Sequence, residues 1–576
     1  MLKYYQRELY NLRNLAREFS KKHPSAAPLL SAETADPDVE RLLEGVAFLT
    51  GLLRKKLDDD LPEIIHNLAE ITFPHTLRPI PSVSIVSFTP KPALQEKFIL
   101  KKGVSLASNP VEGETTCLFQ TCFDLEVHPL RLESVKVFKE PGKPQKIALK
   151  LNSKIPLSQL EIEKLCFYLG GSFALSSQLF MWLDKHLSRI LISSAETKDI
   201  CILSREDLLF PGFSPEASLI PFPGHIFSGF RLLQEYFILP QKFLFVEIAG
   251  WEKWRNRGEG TDFEMVFEFD ELSSPLPEVS EDNFVLFATP VINIFPKDAE
   301  PISLDHSKDK ILVRPATERT EYTQVYEVTK VTGYVEGTLE EIKYKPFNVF
   351  SNKDEQIGLY HTIHRLSPIT GKHEVFIRIL YSDNDQPFKK QTLSIKTLCT
   401  NGEITEKLRL GDICKPTSTS PELLTFRNII PVTPPLDPLL KKNKLWNFLS
   451  HLSLNLLSLA NLEGLKKLLT FYAFSESKDR VKVAANLKRI EGIEAISVKM
   501  SNRLVRGLML MGTEIDLVMR KDSFASFGDL YLFGSVLNEF FSQYSQINSF
   551  IRLRVKDAIT GDVIQWKERI GKRYLL

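Results

Sequence analysis

Cysteine is scarce in this sequence, and no two cysteines have the CxxC spacing of redox or metal sites. The 576 residues contain six cysteines, at positions 117, 122, 166, 201, 399 and 414. So sparse a distribution provides no disulfide framework, and it predicts separate thiols in a reducing compartment. Cys117 and Cys122 lie in a Phe- and Thr-rich stretch, where we expect buried thiols rather than metal ligands.

Long hydrophobic runs and an excess of one charge are also absent. No apolar stretch approaches the roughly 18 residues that cross a bilayer. The N-terminal MLKYYQRELYNLR mixes charged with apolar residues, unlike a signal peptide. The 73 Lys and Arg residues nearly balance the 72 Asp and Glu residues, so the formal net charge is only +1. We therefore expect a cytoplasmic protein without a nucleic-acid partner.

The short motifs of catalysis and cofactor binding are missing as well. The sequence contains no GxxxxGK[ST], GxGxxG, HExxH or GxSxG pattern. His361 and His364 have no third ligand at metal-binding spacing, and the aspartates at 58–60 are typical of a solvated charge cluster. The sequence therefore predicts no metal, no cofactor and no catalytic residue. A cytosolic multidomain enzyme with residues gathered from distant segments stays open as an alternative.

Large apolar side chains are plentiful, and near the N-terminus they follow helical spacing. The length suggests about four domains of about 150 residues each. Two apolar seams repeat at intervals of three and four residues. The first seam comprises Leu2, Tyr5, Leu9, Leu12, Ala16 and Phe19, and the second comprises Val39, Leu42, Val46, Leu49 and Leu53.

These seams predict two helices, the second beginning at Pro37, and a third short helix after Pro62. Each seam is shorter than the three to four heptads that indicate an independent coiled coil. Two interpretations follow. The seams are buried within their own domain, or they pack against another subunit.

The middle of the chain is punctuated by proline and glycine and favours β-structure. Short β-type runs begin near residue 82, and a helical pair at 157–169 and 175–187 interrupts them. The apolar run at 243–248 predicts a buried strand. Residues 276–430 alternate short apolar runs with turn residues, and the four prolines within 431–438 indicate a domain boundary.

The C-terminal part combines the helical spacing of three and four residues with the two-residue alternation of β-strands. Leucines at helical spacing predict helices at 445–459, at 465–472 and at 530–544. Alternating residues at 551–556 and the turn Thr560-Gly561-Asp562 predict a β-hairpin. The predicted fold is a multidomain α+β chain with a helical N-terminal segment at 1–80, a β-rich domain with inserted helices at 81–275, a second β-rich domain at 276–430 and a mixed α/β C-terminal domain at 431–576.

Several blocks, in order along nearly the whole chain, resemble those of one family. They are YYQREL at 4–9, DPDVERLLEGVAFL at 36–49, FPHTLRPIPS at 73–82, RLLQEYF at 231–237, TPVINIF at 289–295, a block at 446–455 and FGSVL at 533–537. The sequence is similar to the TssF family, baseplate subunits of bacterial type VI secretion systems.

The resemblance implies a structural role and no enzymatic activity. In the family, two copies grip one TssG subunit in a wedge, TssK links the wedge to the membrane complex, TssE connects it to the sheath, and the wedges surround a central spike. The implied location is cytoplasmic, at the inner membrane and in contact with it only through the membrane complex. A wedge of a phage tail or of an extracellular contractile particle is the alternative within this class.

The resemblance also gives the two seams a specific use. In related phage wedges, helices of different subunits share a bundle. The candidate subunit-bundle interface is therefore formed by Leu2, Tyr5, Leu9, Leu12, Phe19, Val39, Leu42, Val46, Leu49 and Leu53.

Overall fold

The computed structural model describes most of the chain in two compact units. The described residues are 2–22, 37–72, 74–140, 142–197, 199–222, 228–270, 276–305, 308–338, 340–347, 358–367, 371–380, 390–438, 461–474, 477–505, 508–545 and 549–571. The unit that we call the helical unit comprises Met1–Leu77 and Leu440–Leu452. The main unit comprises Arg78–Leu439 and Ser453–Leu576.

The helical unit contains two long helices that pack against each other. They are α1 (Leu2–Lys22) and α2 (Pro37–Thr72). The predicted start of the second helix at Pro37 is confirmed. The separate third helix after Pro62 is wrong, because α2 continues through this proline to Thr72. Proline removes its own N–H from the helical ladder, and a long helix can continue past that missing bond with a local kink.

A six-stranded antiparallel sheet begins the main unit. Numbered in chain order, its strands are β1 (Val83–Pro90), β3 (Ser105–Ser108), β4 (Leu118–Thr121), β15 (Ala288–Ile292), β24 (Ile413–Pro416) and β25 (Leu424–Asn428). Their spatial order is β24-β3-β4-β15-β1-β25. Asn428 joins the two edge strands, because its Oδ1 accepts from the Ile413 N–H at 3.0 Å and its carbonyl accepts from the Gly411 N–H at 3.1 Å. A two-stranded ribbon of β2 (Phe98–Leu100) and β5 (Leu125–Val127) lies apart from this sheet.

Two further antiparallel sheets belong to the middle of the chain. The five-stranded sheet has the order β10 (Ile200–Ser204), β9 (Leu187–Ser194), β13 (Asp262–Phe269), β7 (Lys146–Ser153), β6 (Leu130–Phe138). The four-stranded sheet has the order β11 (Leu208–Leu209), β12 (Phe245–Ile248), β8 (Leu165–Leu169), β14 (Phe284–Leu286). Strand β12 confirms the buried strand predicted at 243–248.

The helices of this region correct one prediction. Helix α3 (Phe173–Met181) and the π-helix after it (Trp182–His186) confirm the predicted second helix, and α4 (Ser228–Ile238) follows. The helix predicted at 157–169 is wrong, because β8 occupies the end of that range with all its residues buried between β12 and β14. Periodicity cannot distinguish a short continuous apolar run in a central strand from a buried helix.

The next sheet closes around a core of its own. Its strands are β16 (Phe295–Asp298), β17 (Ile302–Leu304), β18 (Ile311–Leu312), β19 (Gln324–Val335), β20 (Glu341–Pro346), β21 (Gly358–Leu366), β22 (His373–Leu380) and β23 (Gln391–Thr400). The order is β16-β23-β19-β20-β21-β22-β18, and β17 also pairs with β23. The segment after β18 bridges back to the segment after β16 at Pro315 and Ala299. Residues such as Val331, Ile377 and Leu393 are buried inside.

The C-terminal part is mixed α/β, as predicted. It contains α5 (Leu462–Tyr472), α6 (Arg480–Glu491), β26 (Ile493–Val505), β27 (Leu508–Met519), α7 (Phe527–Ser542), β28 (Ser549–Asp557), β29 (Val563–Gln565) and β30 (Arg569–Ile570). Strands β27 and β28 are parallel, so α7 crosses back over the sheet between them. The predicted hairpin is confirmed by β28 and β29. The helix predicted at 445–459 lies outside the described residues.

A buried carboxylate ties α7 to the middle of the chain. Asp529 is fully buried, and it accepts hydrogen bonds from the Tyr236 hydroxyl at 3.3 Å and from the Arg489 Nε at 3.0 Å. Tyr236 belongs to α4 and Arg489 to α6, so one side chain joins three helices. The predicted division into four domains stays a prediction, and the six-stranded sheet contains strands from both predicted β-rich ranges.

Candidate subunit interface on the second helix

One face of α2 packs within the helical unit. Ala47 and Gly51 are buried and lie one turn apart. Helical geometry places Glu40 on the same side, two turns before Ala47. The Glu40 carboxylate pairs with the Arg13 guanidinium of α1 at 2.6 Å, so this side faces α1. Small residues at this contact allow the two helices to approach each other closely.

The opposite face of α2 carries large apolar side chains that no other described residue buries. Leu42 is 69% exposed, Leu49 60% and Leu53 63%. Val46 is 45% exposed and completes the predicted stripe. At 100° per residue these four side chains form one stripe, and Phe48 and Leu52, which are also exposed, lie beside it. The result is a broad apolar surface, which we call the apolar face of α2.

The predicted interface residues on α1 are more covered. Tyr5, Leu9 and Leu12 are half-buried, as is Val39 at the start of α2. The side chains of Leu2 and Phe19 lie outside the described part of the structure. Tyr10 and Leu15 are exposed on α1 instead.

Sequence reasoning missed part of this exposed surface. Phe48 and Leu52 are one turn apart and flank the stripe that contains Leu49 and Leu53, so a wider apolar arc was visible in the spacing. Tyr10 and Leu15 do not fall on the first seam, and no pattern in the sequence identifies them as exposed.

The other candidate residues do not form a site where they are described. The Nδ1 of His364 lies 3.2 Å from the Nε2 of His373, and within the described ranges no three His, Cys, Asp or Glu side chains are grouped as metal ligands. Burial raises the pKa of the Cys117 thiol to about 11 and that of the Cys122 thiol to about 12. The side chains at 58–60 lie outside the described part. Among the helices described, none has the length and apolar character needed to cross a membrane.

Fold and surface together define a multidomain α+β protein that presents an apolar helix face. The model of the family described as "Type VI secretion system, TssF" matches residues 1–573. The chain therefore belongs to the TssF family, and it is a structural baseplate component of a type VI secretion system. This confirms the resemblance, and it decides against a phage-tail wedge.

Relatives of similar length support the assignment. The type VI secretion system component TssF1 of Pseudomonas aeruginosa is 29% identical, and the alignment covers 100% of this chain and 99% of that protein. A chain of the cryo-electron microscopy structure of a TssK-TssF-TssG baseplate subcomplex is 28% identical with a TM-score of 0.79, over 93% of this chain and 99% of that one. A chain from the baseplate complex of a type VI secretion system shares the fold, with 24% identity, a TM-score of 0.63 and 100% coverage of both chains.

Proposed function

We propose that this chain is a wedge scaffold of the baseplate and that the apolar face of α2 packs against helices of other subunits. The proposal is based on the solvent exposure of that face. Its side chains are large and adjacent, while the other side of the helix already packs on α1. Large contiguous apolar patches of this kind mark interaction sites, and fully burying one leucine contributes about 1.5–3 kcal/mol.

The proposed partners at this face are a TssG-like subunit and a second copy of this chain. Support comes from the similar chain that was solved in a TssK-TssF-TssG baseplate subcomplex. TssK, TssE and the central spike complete the proposed set of partners. The proposed location is the cytoplasm at the inner membrane, with membrane contact only through the membrane complex. The role is structural and includes no catalytic step.

The test is co-expression of the full chain with the TssG-like protein encoded beside it. Leu42→Asp combined with Leu49→Asp should abolish the complex, because two unpaired carboxylates would have to be buried in an apolar contact. The mass and subunit ratio of the purified complex are measured by light scattering and native mass spectrometry. The wild-type chain should give two copies per TssG-like subunit. Leu42 and Leu49 are better targets than Leu9 and Leu12, because the latter are half-buried within the chain.

A matched control introduces two aspartates at exposed positions of the main unit. Val481 is 82% exposed and Met500 is 79% exposed in the main unit. Val481→Asp combined with Met500→Asp should leave the complex intact. An α2 variant that still assembles with the wild-type ratio contradicts the proposed interface, and so does a control variant that is equally defective.

A further inference from the structure

A cluster of lysines lies on the outer face of the eight-stranded sheet in the main unit. Lys396 of β23 is directly opposite Lys330 of β19. Thr332 follows on the same face of β19, and Lys343 of β20 is directly opposite it. Lys345 comes two residues later on that face of β20. Lys330, Lys343 and Lys396 are exposed, and Lys345 is half-buried. We call these four lysines the lysine patch.

A β-bulge places Lys330 in this patch. Successive residues of a regular strand alternate between the two faces, so Lys330 would share the inner face with the buried Val328. The register of β19 against β23 shifts between these two residues, and Thr329 is the extra one. The Thr329 hydroxyl donates to the Lys396 carbonyl at 3.0 Å, which holds the bulge in place. A bulge re-aims the side chains beside it, and this one turns Lys330 outward next to Lys396.

The lysine patch lowers the stability of the isolated chain. Like charges that are directly opposite each other on neighbouring strands repel, as Lys330 and Lys396 do. Within the part of the chain that the structure describes, none of the four lysines forms an ion pair that would offset this repulsion. A partner that brings negative charge to the patch would relieve it.

Carboxylates border the patch and limit what can bind to it. Asp298 of β16 is directly opposite Lys396, and Glu341 lies two residues before Lys343 on the same face of β20. Both acidic residues are exposed. A broad and uniformly negative surface, such as a DNA duplex or an anionic membrane, would meet these carboxylates together with the lysines and be repelled by them. A narrow anionic segment contacts the lysines alone.

We propose that the lysine patch binds a short acidic segment of a partner protein, whose carboxylates pair with the four ammonium groups. Neighbouring strands lie about 4.8 Å apart and alternate residues of one strand about 6.8 Å apart, so one short segment reaches all four lysines. Exposed ion pairs are individually weak, so the binding depends on several pairs at once and is sensitive to salt. The proposal goes beyond the wedge function and does not involve the apolar face of α2.

The first test measures binding of a short poly-L-glutamate peptide to the isolated full chain. Titration calorimetry at low salt should detect binding to the wild type, and salt at about 0.15 M should weaken it. Lys330→Glu combined with Lys396→Glu should weaken the binding at low salt by about tenfold, because two attractive charges become repulsive. If this double variant fails to fold, Lys330→Gln combined with Lys396→Gln removes the same positive charges and should also weaken the binding.

The second test measures the repulsion within the patch. Lys330→Glu places opposite charges across β19 and β23, so hydrogen exchange of peptides from these two strands should be slower than in the wild type. Adding Lys396→Glu restores a pair of like charges and should remove this gain in protection. The single variant should therefore gain protection while it loses affinity for the peptide. No gain in protection in Lys330→Glu overturns the inferred repulsion and the proposal with it.

A matched control changes the net charge by the same amount outside the patch. Lys136 in β6 and Lys556 in β28 are exposed, and each is directly opposite apolar residues. Lys136→Glu combined with Lys556→Glu should bind the peptide as tightly as the wild type. Unchanged binding by the patch variants, or an equal loss in this control, overturns the proposal.

Two further probes test the class of ligand. A DNA duplex and vesicles of anionic phospholipid should bind the wild-type chain more weakly than the peptide does. Tighter binding of either probe that is lost in the patch variants overturns the proposed acidic segment. The measurements contain no TssG-like subunit, so failure of the α2 interface and failure of the lysine patch are distinguishable.

Discussion

Helices α2 and α7 carry the same kind of apolar pattern but meet different surroundings. In α7 the side chains of Phe533, Leu537 and Phe540 are completely buried. In α2 the equivalent leucines are mostly exposed. The reason is topological, because α7 crosses over the sheet of its own chain and also packs on α3 and α4, while among the described helices α1 packs on α2. Apolar periodicity thus predicts that a face will be covered, but it does not say by which chain.

The largest effect that tests this comparison is expected from the middle of α7. Phe533 contacts the rings of Tyr236 and Phe524, at centroid distances of 5.4 and 5.7 Å. Phe533→Ala leaves a cavity and should lower the free energy of unfolding by about 3–5 kcal/mol. Hydrogen exchange of α7 peptides, followed by mass spectrometry, measures this change. Phe48→Ala on the exposed face of α2 is the control, and an equal loss there would contradict the comparison.

Replacing a glycine by alanine should change the free energy of unfolding in opposite directions in the two helices. A Cβ on Gly528 would lie 2.3 Å from the backbone nitrogen of Gln178 in α3, so Gly528→Ala should lower the free energy of unfolding by about 1–3 kcal/mol. A Cβ on Gly45 in α2 meets nothing within 4 Å. Gly45→Ala should therefore stabilise α2 by about 0.5–1 kcal/mol. Exchange protection of each helix measures both effects, and the same sign at both sites would contradict this expectation.

Buried charge next to α4, a helix that packs on α7, gives a pH dependence that the exposed face of α2 lacks. Burial lowers the pKa of Lys242 to about 8, although its ammonium pairs with Glu235. Unfolded lysine has a pKa of about 10.4. Between these values the unfolded chain binds more protons at this group, so the contribution of Lys242 to the free energy of unfolding should rise with pH, by at most about 1.4 kcal/mol per unit. The buried thiols of Cys117 and Cys122, whose pKa is raised, contribute with the opposite sign. Urea unfolding at pH 8 to 10 measures the net slope of the free energy of unfolding against pH.

The pH effect is isolated by comparing variants. Lys242→Met removes this lysine, so the slope of the free energy of unfolding against pH between pH 8 and 10 should be less positive than in the wild type. Lys253→Met removes an exposed lysine that pairs with Asp207, and it should keep the wild-type slope. Identical slopes in all three proteins would contradict the assigned cause.

The smallest effect on stability is expected on the apolar face of α2. Leu49→Ala should change the free energy of unfolding of the isolated chain by less than about 0.5 kcal/mol, because the side chain is already exposed. The same variant should weaken the complex with the TssG-like partner by about 1.5–3 kcal/mol. Urea unfolding and titration calorimetry measure the two quantities. A large loss of stability without loss of binding would show that the chain itself covers this face.

Local patterns predicted much of the fold. The proline at the start of α2, the spacing in α5 and α7 and the turn before β29 act through neighbouring residues, and each was confirmed. Predictions failed where residues distant in sequence determine the secondary structure. Residues 165–169, for example, form the strand β8 because β12 and β14 flank them. The hydrogen bonds of Asp529 and of Asn428 join segments far apart in sequence, so no local pattern could reveal them.

The candidate interface also depends partly on local sequence patterns and partly on the tertiary structure. Sequence alone located the stripe from Leu42 to Leu53 and, through its ordered blocks, the family. Only the tertiary structure decided that this stripe stays exposed while Ala47 and Gly51 face α1. Helix formation follows from local geometry and periodic burial, whereas the choice of covering surface depends on which distant segments the whole chain brings together.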